Sequence, residues 1–241
     1  MKLTYIFHSG FAIETDDCTI LIDYFKDSGV NPDEGYVHDV LLKKEGPLYI
    51  LSSHFHADHF NPEILKWKEV KQDITYLFSK DILKRKRASK QDAIYLKKLE
   101  TYQDDHLYVK AFGSTDVGVS FLLEIAGKKI FHAGDLNNWH WKDESTEKEV
   151  TEAEQNYLSE LKLIADAVDR KLDVAMFPVD PRMGTDYMRG AEQFVDEIRT
   201  SVFAPMHFEP AIDQALAFES YARSKGCCFF EITYPGQSII I

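Results

Sequence analysis

Three histidines and one aspartate lie within six consecutive residues, His54-Phe55-His56-Ala57-Asp58-His59. Imidazole nitrogens and carboxylate oxygens bind zinc-type dications at about 2.0–2.2 Å. Since side chains alternate along an extended backbone, His54 and His56 are expected to point to one side, with Asp58 and His59 following after a turn. A solvated polar loop is the alternative. The residue types and their spacing favour a metal-binding loop.

The preceding elements must hold this loop in place. Residues 48–53 are apolar and follow Gly46-Pro47, which predicts a strand ending where the histidines begin. The pattern of apolar residues predicts further strands near 2–7, 11–15, 19–23, 74–78, 107–112, 118–125, 129–133, 173–178 and 237–241, and one ending at His207. It predicts helices from Pro62 and over 80–99, 148–169, 187–200 and 210–224. Strands in both halves with helices between them indicate mixed α and β structure.

Four segments together resemble the metallo-β-lactamase superfamily of metal-dependent hydrolases. The HxHxDH loop is the most specific, and the others, in order, are residues 8–14 with 20–23, 130–135 and 202–207. The opening segments resemble the branch that contains ascorbate-6-phosphate lactonase. The resemblance implies a four-layer αββα sandwich of the α/β (α+β) class, formed as one hydrolase domain over residues 1–241.

The resemblance also implies the metal ligands. His54 and His56 correspond to ligands of a first metal, Asp135 corresponds to a carboxylate that bridges both metals, and the second metal takes Asp58, His59 and His207. Residues 135 and 207 are therefore expected to converge on the loop at 54–59.

One ligand of the family pattern is missing. Residues 111–120 contain no histidine, so Ser114 or Thr115 stands at its position and Asp116 is the nearest substitute. The sequence therefore leaves open whether the site binds two zinc ions or one. If a second ion binds at the weaker first position, that position suits a harder ion such as manganese. A single ion would be held mainly by Asp58, His59, Asp135 and His207.

Other residues are candidates for catalysis or binding. By resemblance, Asp58 orients the attacking water or takes its proton, and His8 or His140 could protonate the leaving group, each with a structural role as the alternative. Arg182 is a candidate for binding an anionic group of the substrate, and a surface salt bridge is the alternative. Ser114 and Asp116 are further candidates for contact with the substrate. By resemblance, Asp23 is expected to support the 54–59 loop from behind, with a turn residue as the alternative. His38 and His106 are expected at the surface.

Composition narrows the partners. The chain has 241 residues and a net charge of −12, which argues against a surface built for nucleic acid. Its three cysteines, Cys18, Cys227 and Cys228, have no ligand spacing and are expected to be thiols, with Cys227 and Cys228 buried. No signal-like or membrane-spanning segment is visible, so a cytoplasmic protein without membrane contact is expected.

These observations favour metal-assisted hydrolysis of an anionic small molecule, such as an ester, lactone or phosphodiester. A first alternative is a nuclease acting on RNA or DNA, which the basic segment 80–98 favours and the net charge opposes. A second is a non-catalytic metal- or ligand-binding domain, which the missing histidine favours. The oligomeric state and the substrate are left open by the sequence.

Overall fold

This computed structural model describes residues 1–32 and 34–241. They form two compact units, one made of Met1–Lys97 with Ile232–Ile241 and one made of Lys98–Glu231. Each unit contains one seven-stranded sheet. The single domain over residues 1–241 stays a prediction.

The described residues form fourteen strands. In chain order they are β1 (Lys2–Phe7), β2 (Gly10–Glu14), β3 (Thr19–Ile22), β4 (Leu48–Ser52), β5 (Ile74–Ser79), β6 (Ile94–Leu96), β7 (Thr101–Gln103), β8 (Tyr108–Phe112), β9 (Ser120–Ile125), β10 (Lys128–His132), β11 (Lys171–Pro178), β12 (Arg199–Met206), β13 (Cys228–Phe229) and β14 (Ser238–Ile240).

Helices alternate with these strands. They are α1 (Lys80–Lys84), α2 (Glu147–Ala167), α3 (Arg189–Glu197), α4 (Ile212–Leu216) and α5 (Glu219–Ser224), with short helical turns at Val37–Leu41, Pro62–Glu69 and Pro181–Met183. No helix in the described ranges is long and apolar enough to cross a membrane. The helix start predicted at Pro62 is confirmed: the Asn61 side chain accepts the Glu63 amide, and proline suits the first helical turn.

The sheet of the first unit has the order β14-β1-β2-β3-β4-β5-β6. Its β14 to β3 half is antiparallel, and the pairs β3–β4, β4–β5 and β5–β6 are parallel. Strands β2, β3 and β4 are buried throughout, as expected for short runs of Ile, Leu and Phe covered on both faces. In this arrangement β1, β3 and β4 run in the same direction, so residues that follow them share one edge of the sheet.

The sheet of the second unit has the order β13-β12-β11-β10-β9-β8-β7. Its pairs from β13 to β10 are parallel, and those from β10 to β7 are antiparallel. Helix α2 begins with a capping box between Thr146 and Glu149, and it buries Tyr157, Leu161 and Ile164 along one face. The carboxyl ends of β10, β11 and β12 therefore lie side by side.

Two predicted helices are wrong. The helix over 80–99 ends after five residues, because Lys86 takes a left-handed conformation (φ 57°) and β6 then completes the edge of the first sheet beside β5. Lys84 and Arg87, three residues apart, would also place like charges on one face of a continued helix. The helix over 210–224 is two short helices, α4 and α5, with Ala217 and Phe218 between them.

The two strands β7 and β13 are three and two residues long and were not predicted. The cysteines are free, as predicted, but only Cys227 of the adjacent pair is buried. Cys228 is exposed because it begins β13, where Phe229 takes the buried side and successive side chains alternate.

Candidate functional site

In the first unit, Asp23 follows β3 and the 54–59 loop follows the neighbouring strand β4. The buried Asp23 carboxylate accepts hydrogen bonds from the Ser53 amide, the Ser53 hydroxyl and His59 Nδ1, each at 2.7 Å. The predicted support role of Asp23 is confirmed. The parallel pairing of β3 and β4 explains why a residue 30 positions upstream reaches this loop.

The bond to Asp23 fixes the protonation of His59. When a neutral ring donates Nδ1–H to a carboxylate, its lone pair is on Nε2, which is the usual state of a metal-binding histidine. His59 Nε2 lies 3.9 Å from Asp58 Oδ2, and His8 Nε2 lies 3.4 Å from the same oxygen. The ligand atoms of the three residues lie within 4.8 Å of one another. His8, Asp58 and His59 therefore form one cluster at this edge of the sheet.

The charge state of Asp58 follows from these neighbours. Burial raises the pKa of the Asp58 carboxyl, but the hydrogen bond from His8 and the charges of His59 and His8 outweigh burial and hold the pKa well below its usual range. His8 is buried, takes a left-handed backbone conformation (φ 58°) and donates its amide to the Tyr5 hydroxyl at 2.8 Å. Asp58 is thus an ionised carboxylate at neutral pH.

His54 and His56 point to the same side, as predicted from alternation. His54 Nε2 lies 3.0 Å from His56 Nδ1, and the Ser53 hydroxyl lies 3.0 Å from His54 Nδ1. Two nitrogens bound tetrahedrally to one zinc at 2.0–2.1 Å are separated by roughly 3.3 Å. The observed separation of the two nitrogens therefore fits a shared dication.

In the second unit, Asp135, Asp180 and His207 follow the adjacent parallel strands β10, β11 and β12. His207 Nδ1 lies 2.9 Å from Asp180 Oδ2, and His207 Nε2 lies 3.5 Å from Asp135 Oδ1. The Asp180 carboxylate thus contacts His207 Nδ1 as Asp23 contacts His59 Nδ1, but here Arg182 Nη2 also lies 3.0 Å from the same ring nitrogen. Asp135 and His207, both predicted as ligands, are brought together by this unit alone.

Arg182 is held by Asp180. Its Nε and Nη2 atoms donate to the Asp180 carboxylate at 2.6–3.1 Å, while more than half of its side chain is exposed. Burial raises the pKa of Asp180, but the hydrogen bonds from His207 and Arg182 lower it to about 2. Arg182 was a predicted site residue and Asp180 was not, although an aspartate directly after a predicted buried strand was an available signal.

Ser114, Thr115 and Asp116 are the three residues near the position of the missing histidine, and they have different surroundings. The Thr115 hydroxyl donates to the Asn137 carbonyl and accepts from the Asn137 amide, and the Ser114 hydroxyl accepts the Asp116 amide at 3.2 Å. The Asp116 and Asp135 carboxylates offer oxygens within 4.8 Å of each other. Of the three residues, Asp116 is therefore the one with ligand chemistry beside Asp135.

The remaining histidines have other surroundings. The buried His140 places Nε2 3.1 Å from the Asp186 carbonyl, and its Nδ1 accepts the Lys142 amide at 3.1 Å. His106 is exposed, as predicted. The surface position predicted for His38 is wrong, because its ring lies between Asp27 (2.7 Å) and Glu63 (2.8 Å) and is only 15% exposed.

Comparisons with known proteins agree with this arrangement. The sequence profile of the Beta-lactamase superfamily domain matches residues 2–152. A UPF0173 metal-dependent hydrolase of Symbiobacterium thermophilum is 26% identical over 250 residues, which cover 99% of each chain.

Two solved structures resemble the chain over nearly its full length. One is Igni18, a metallo hydrolase of Ignicoccus hospitalis, with a TM-score of 0.69, 19% identity and coverage of 99% of this chain and 97% of Igni18. The other is the metallo-beta-lactamase fold protein YhfI of Bacillus subtilis, with a TM-score of 0.67, 12% identity and coverage of 99% of each chain. At these identities the likeness shows the fold, and it confirms the predicted fold class.

Proposed function

Since this chain belongs to the β-lactamase superfamily and is a metal-dependent hydrolase, as its full-length relatives are named, we propose that it hydrolyses an anionic small-molecule ester, lactone or phosphodiester. The observation that carries the proposal is the cluster of Asp58 with His8 and His59, in which an ionised carboxylate lies beside two histidines. Such a carboxylate can orient a water molecule or take its proton.

We propose the metal ligands that the family resemblance implies, with zinc as the metal and manganese as the alternative. They are His54, His56, Asp58, His59, Asp135 and His207, with Asp116 at the position of the missing histidine. The donor set fits a dication, because two of the histidines are oriented through Nδ1 by a buried carboxylate. A bound dication supplies a Lewis acid and lowers the pKa of water that it binds.

The protein residues divide the proton transfers. Asp58 accepts a proton from the attacking water, and His8, 3.4 Å away, holds a proton for the leaving group. His140 is the second candidate for the proton donor. It ranks below His8 because both of its ring nitrogens already have backbone partners. Arg182 and Ser114 are the proposed substrate contacts, and substrate contact is the alternative to metal ligation for Asp116.

The test is turnover of a substrate panel by zinc- or manganese-loaded protein, with metal content measured by elemental analysis. Asp58→Asn is expected to reduce kcat by at least 100-fold on any accepted substrate. His106→Gln, an exposed histidine outside the cluster, serves as the matched control and should retain full activity. Equal activity of Asp58→Asn and wild type would remove Asp58 from the mechanism.

The same panel separates the alternatives. Turnover of RNA or DNA but of none of the small esters, lactones or phosphodiesters would favour the nuclease, and the exposed basic residues 84–87 are the feature that supports it. Metal binding without turnover of any substrate would favour a binding domain. A cytoplasmic location belongs to the proposal as well, supported by three cysteines that are free thiols.

A further inference from the structure

Arg85 lies against the metal-binding loop of the first unit. Its guanidinium carbon is positioned over the ring of Phe55, 4.8 Å from the ring centroid. Phe55 stands between His54 and His56 in the loop. The Phe55 ring also lies against the His56 ring, with the two centroids 4.5 Å apart. A cationic side chain over an aromatic ring is attracted to the ring face, so Phe55 links Arg85 to His56.

Backbone contacts fix the turn that carries Arg85. The Arg85 amide donates to the Asp81 carbonyl at 2.8 Å, and the Arg87 amide donates to the Ile82 carbonyl at 3.0 Å. Asp81 also receives the Phe55 amide on its carboxylate at 3.0 Å. One residue, Asp81, therefore ties both the loop and the Arg85 turn to α1, which pre-organises the cation beside the loop.

The charge of Arg85 is available to a ligand. Arg85 is exposed, and no carboxylate of residues 1–32 and 34–241 forms an ion pair with it. The ring contact occupies one face of the guanidinium, whereas its N–H groups lie in the plane and can donate to two oxygens at once. In a chain of net charge −12, this is a defined positive position against Phe55 of the 54–59 loop.

We propose that Arg85 is an anion-binding subsite that holds a carboxylate or phosphate group of the substrate. The proposal rests on the proposed hydrolase function and adds to it the residue that selects an anionic substrate. The subsite binds a part of the substrate that does not react, so Arg85 is a specificity-determining residue and takes no part in proton transfer.

The first experiment compares a charged and a neutral ester on the metal-loaded enzyme, mono-4-nitrophenyl succinate and 4-nitrophenyl butyrate. Arg85→Gln is expected to raise KM for the succinate ester roughly 10- to 100-fold, with kcat within about twofold, and to leave the butyrate ester unchanged. Arg85→Lys should recover part of the loss, since it keeps the charge but not the planar fork. Arg87→Gln removes a neighbouring charge of the same turn and should behave as wild type.

The second experiment needs no turnover and so separates this proposal from the hydrolase proposal. Binding of succinate and of inorganic phosphate to the metal-loaded protein is measured by calorimetry, which also distinguishes carboxylate from phosphate as the recognised group. Arg85→Gln is expected to weaken binding of at least one anion tenfold or more, and Phe55→Leu to weaken it severalfold, with metal content unchanged.

Three outcomes would overturn the subsite. The first is that wild type binds neither anion, the second is that Arg85→Gln binds both anions as tightly as wild type, and the third is that Arg87→Gln loses as much anion affinity as Arg85→Gln. The last result would mean diffuse attraction by the basic turn.

Discussion

Two aspartates perform the same task at the residue scale, one in each unit. Asp23 receives Nδ1 of His59 and Asp180 receives Nδ1 of His207, at 2.7 and 2.9 Å. Both carboxylates are buried, and both follow a strand of a parallel pair. Orientation of a histidine by a carboxylate typically changes metal affinity 10- to 100-fold when it is lost. These aspartates should therefore matter although the sequence pattern points only to the histidines.

Asp23→Asn tests this orientation. The asparagine oxygen can still accept the Ser53 amide, but the side-chain NH₂ then faces His59 Nδ1 and drives the ring proton to Nε2. We expect zinc affinity to fall about 10- to 100-fold, measured by competition with a chromophoric chelator.

Asp17→Asn, an exposed residue of a turn in the same unit, is the control and should bind zinc as wild type does. Unchanged zinc affinity of Asp23→Asn would show that the carboxylate does not set the tautomer of His59.

At the scale of elements, the basic segment at 80–99 shows how the helical spacing of apolar residues can predict a helix that does not form. Apolar residues at helical spacing are present, but the chain turns at Lys86 and returns as β6 to pair with β5. A left-handed residue costs roughly 1–2 kcal/mol for any side chain other than glycine. This turn, rather than helix propensity, places Arg85 beside the 54–59 loop.

A pair of glycine substitutions tests the position of the helix end. Lys86→Gly should be neutral or raise the free energy of unfolding by up to about 1 kcal/mol, because glycine accepts positive φ. Lys84→Gly, with the same loss of charge inside α1, should lower it by roughly 0.5–1 kcal/mol. Urea unfolding measures both, and the opposite ranking would mean that the helix continues through residue 86.

His38 links two further elements of the first unit. Its ring joins Asp27, in the segment after β3, to Glu63, in the helical turn after the 54–59 loop. Burial lowers the pKa of His38, but the hydrogen bonds and charges of Asp27 and Glu63 outweigh burial and raise it above its usual value. The charged ring therefore stabilises the contact between these elements.

The raised pKa predicts a pH-dependent stability. The contribution of His38 is fully present below its unfolded-state pKa of about 6.5 and is lost as pH rises through the higher folded-state value. We expect His38→Gln to cost more free energy of unfolding at pH 6 than at pH 9, measured by urea titration. His106→Gln should show no such difference, and an equal cost of His38→Gln at both pH values would contradict the ion-pair argument.

For the molecule as a whole, much of the fold and of the candidate site could be predicted from local sequence signals. The loop at 54–59, the helix start at Pro62 and the long helix α2 each have a strong pattern of their own. The strands β7 and β13 could not be predicted, because three and two residues are too few for an alternating pattern to show, and only pairing with β8 and β12 defines them. Asp180 had a local signal, its place directly after a predicted buried strand, but its contact with His207 depends on β11 and β12 lying in parallel, which no local pattern encodes.

Metal removal is expected to destabilise the protein as a whole. A ligand that binds only the folded chain adds RT ln(1 + [L]/Kd), which is about 2.7 kcal/mol at 100 times Kd. Chelated protein should therefore melt at a lower temperature than zinc-loaded protein in differential scanning calorimetry. His59→Gln should reduce the difference, and equal melting temperatures with and without zinc in the wild type would argue against zinc binding to the folded state.

The first unit joins two segments that are far apart along the chain. Strand β14 pairs with β1 through Lys2 and Ile240, and the Tyr5 amide donates to the Gln237 carbonyl at 2.9 Å. During synthesis on a ribosome, β1 emerges long before its partner, and all of Lys98–Glu231 is translated in between. The outer edge of β1 is thus uncovered on the nascent chain and is a site for chaperone capture or for pairing with another polypeptide.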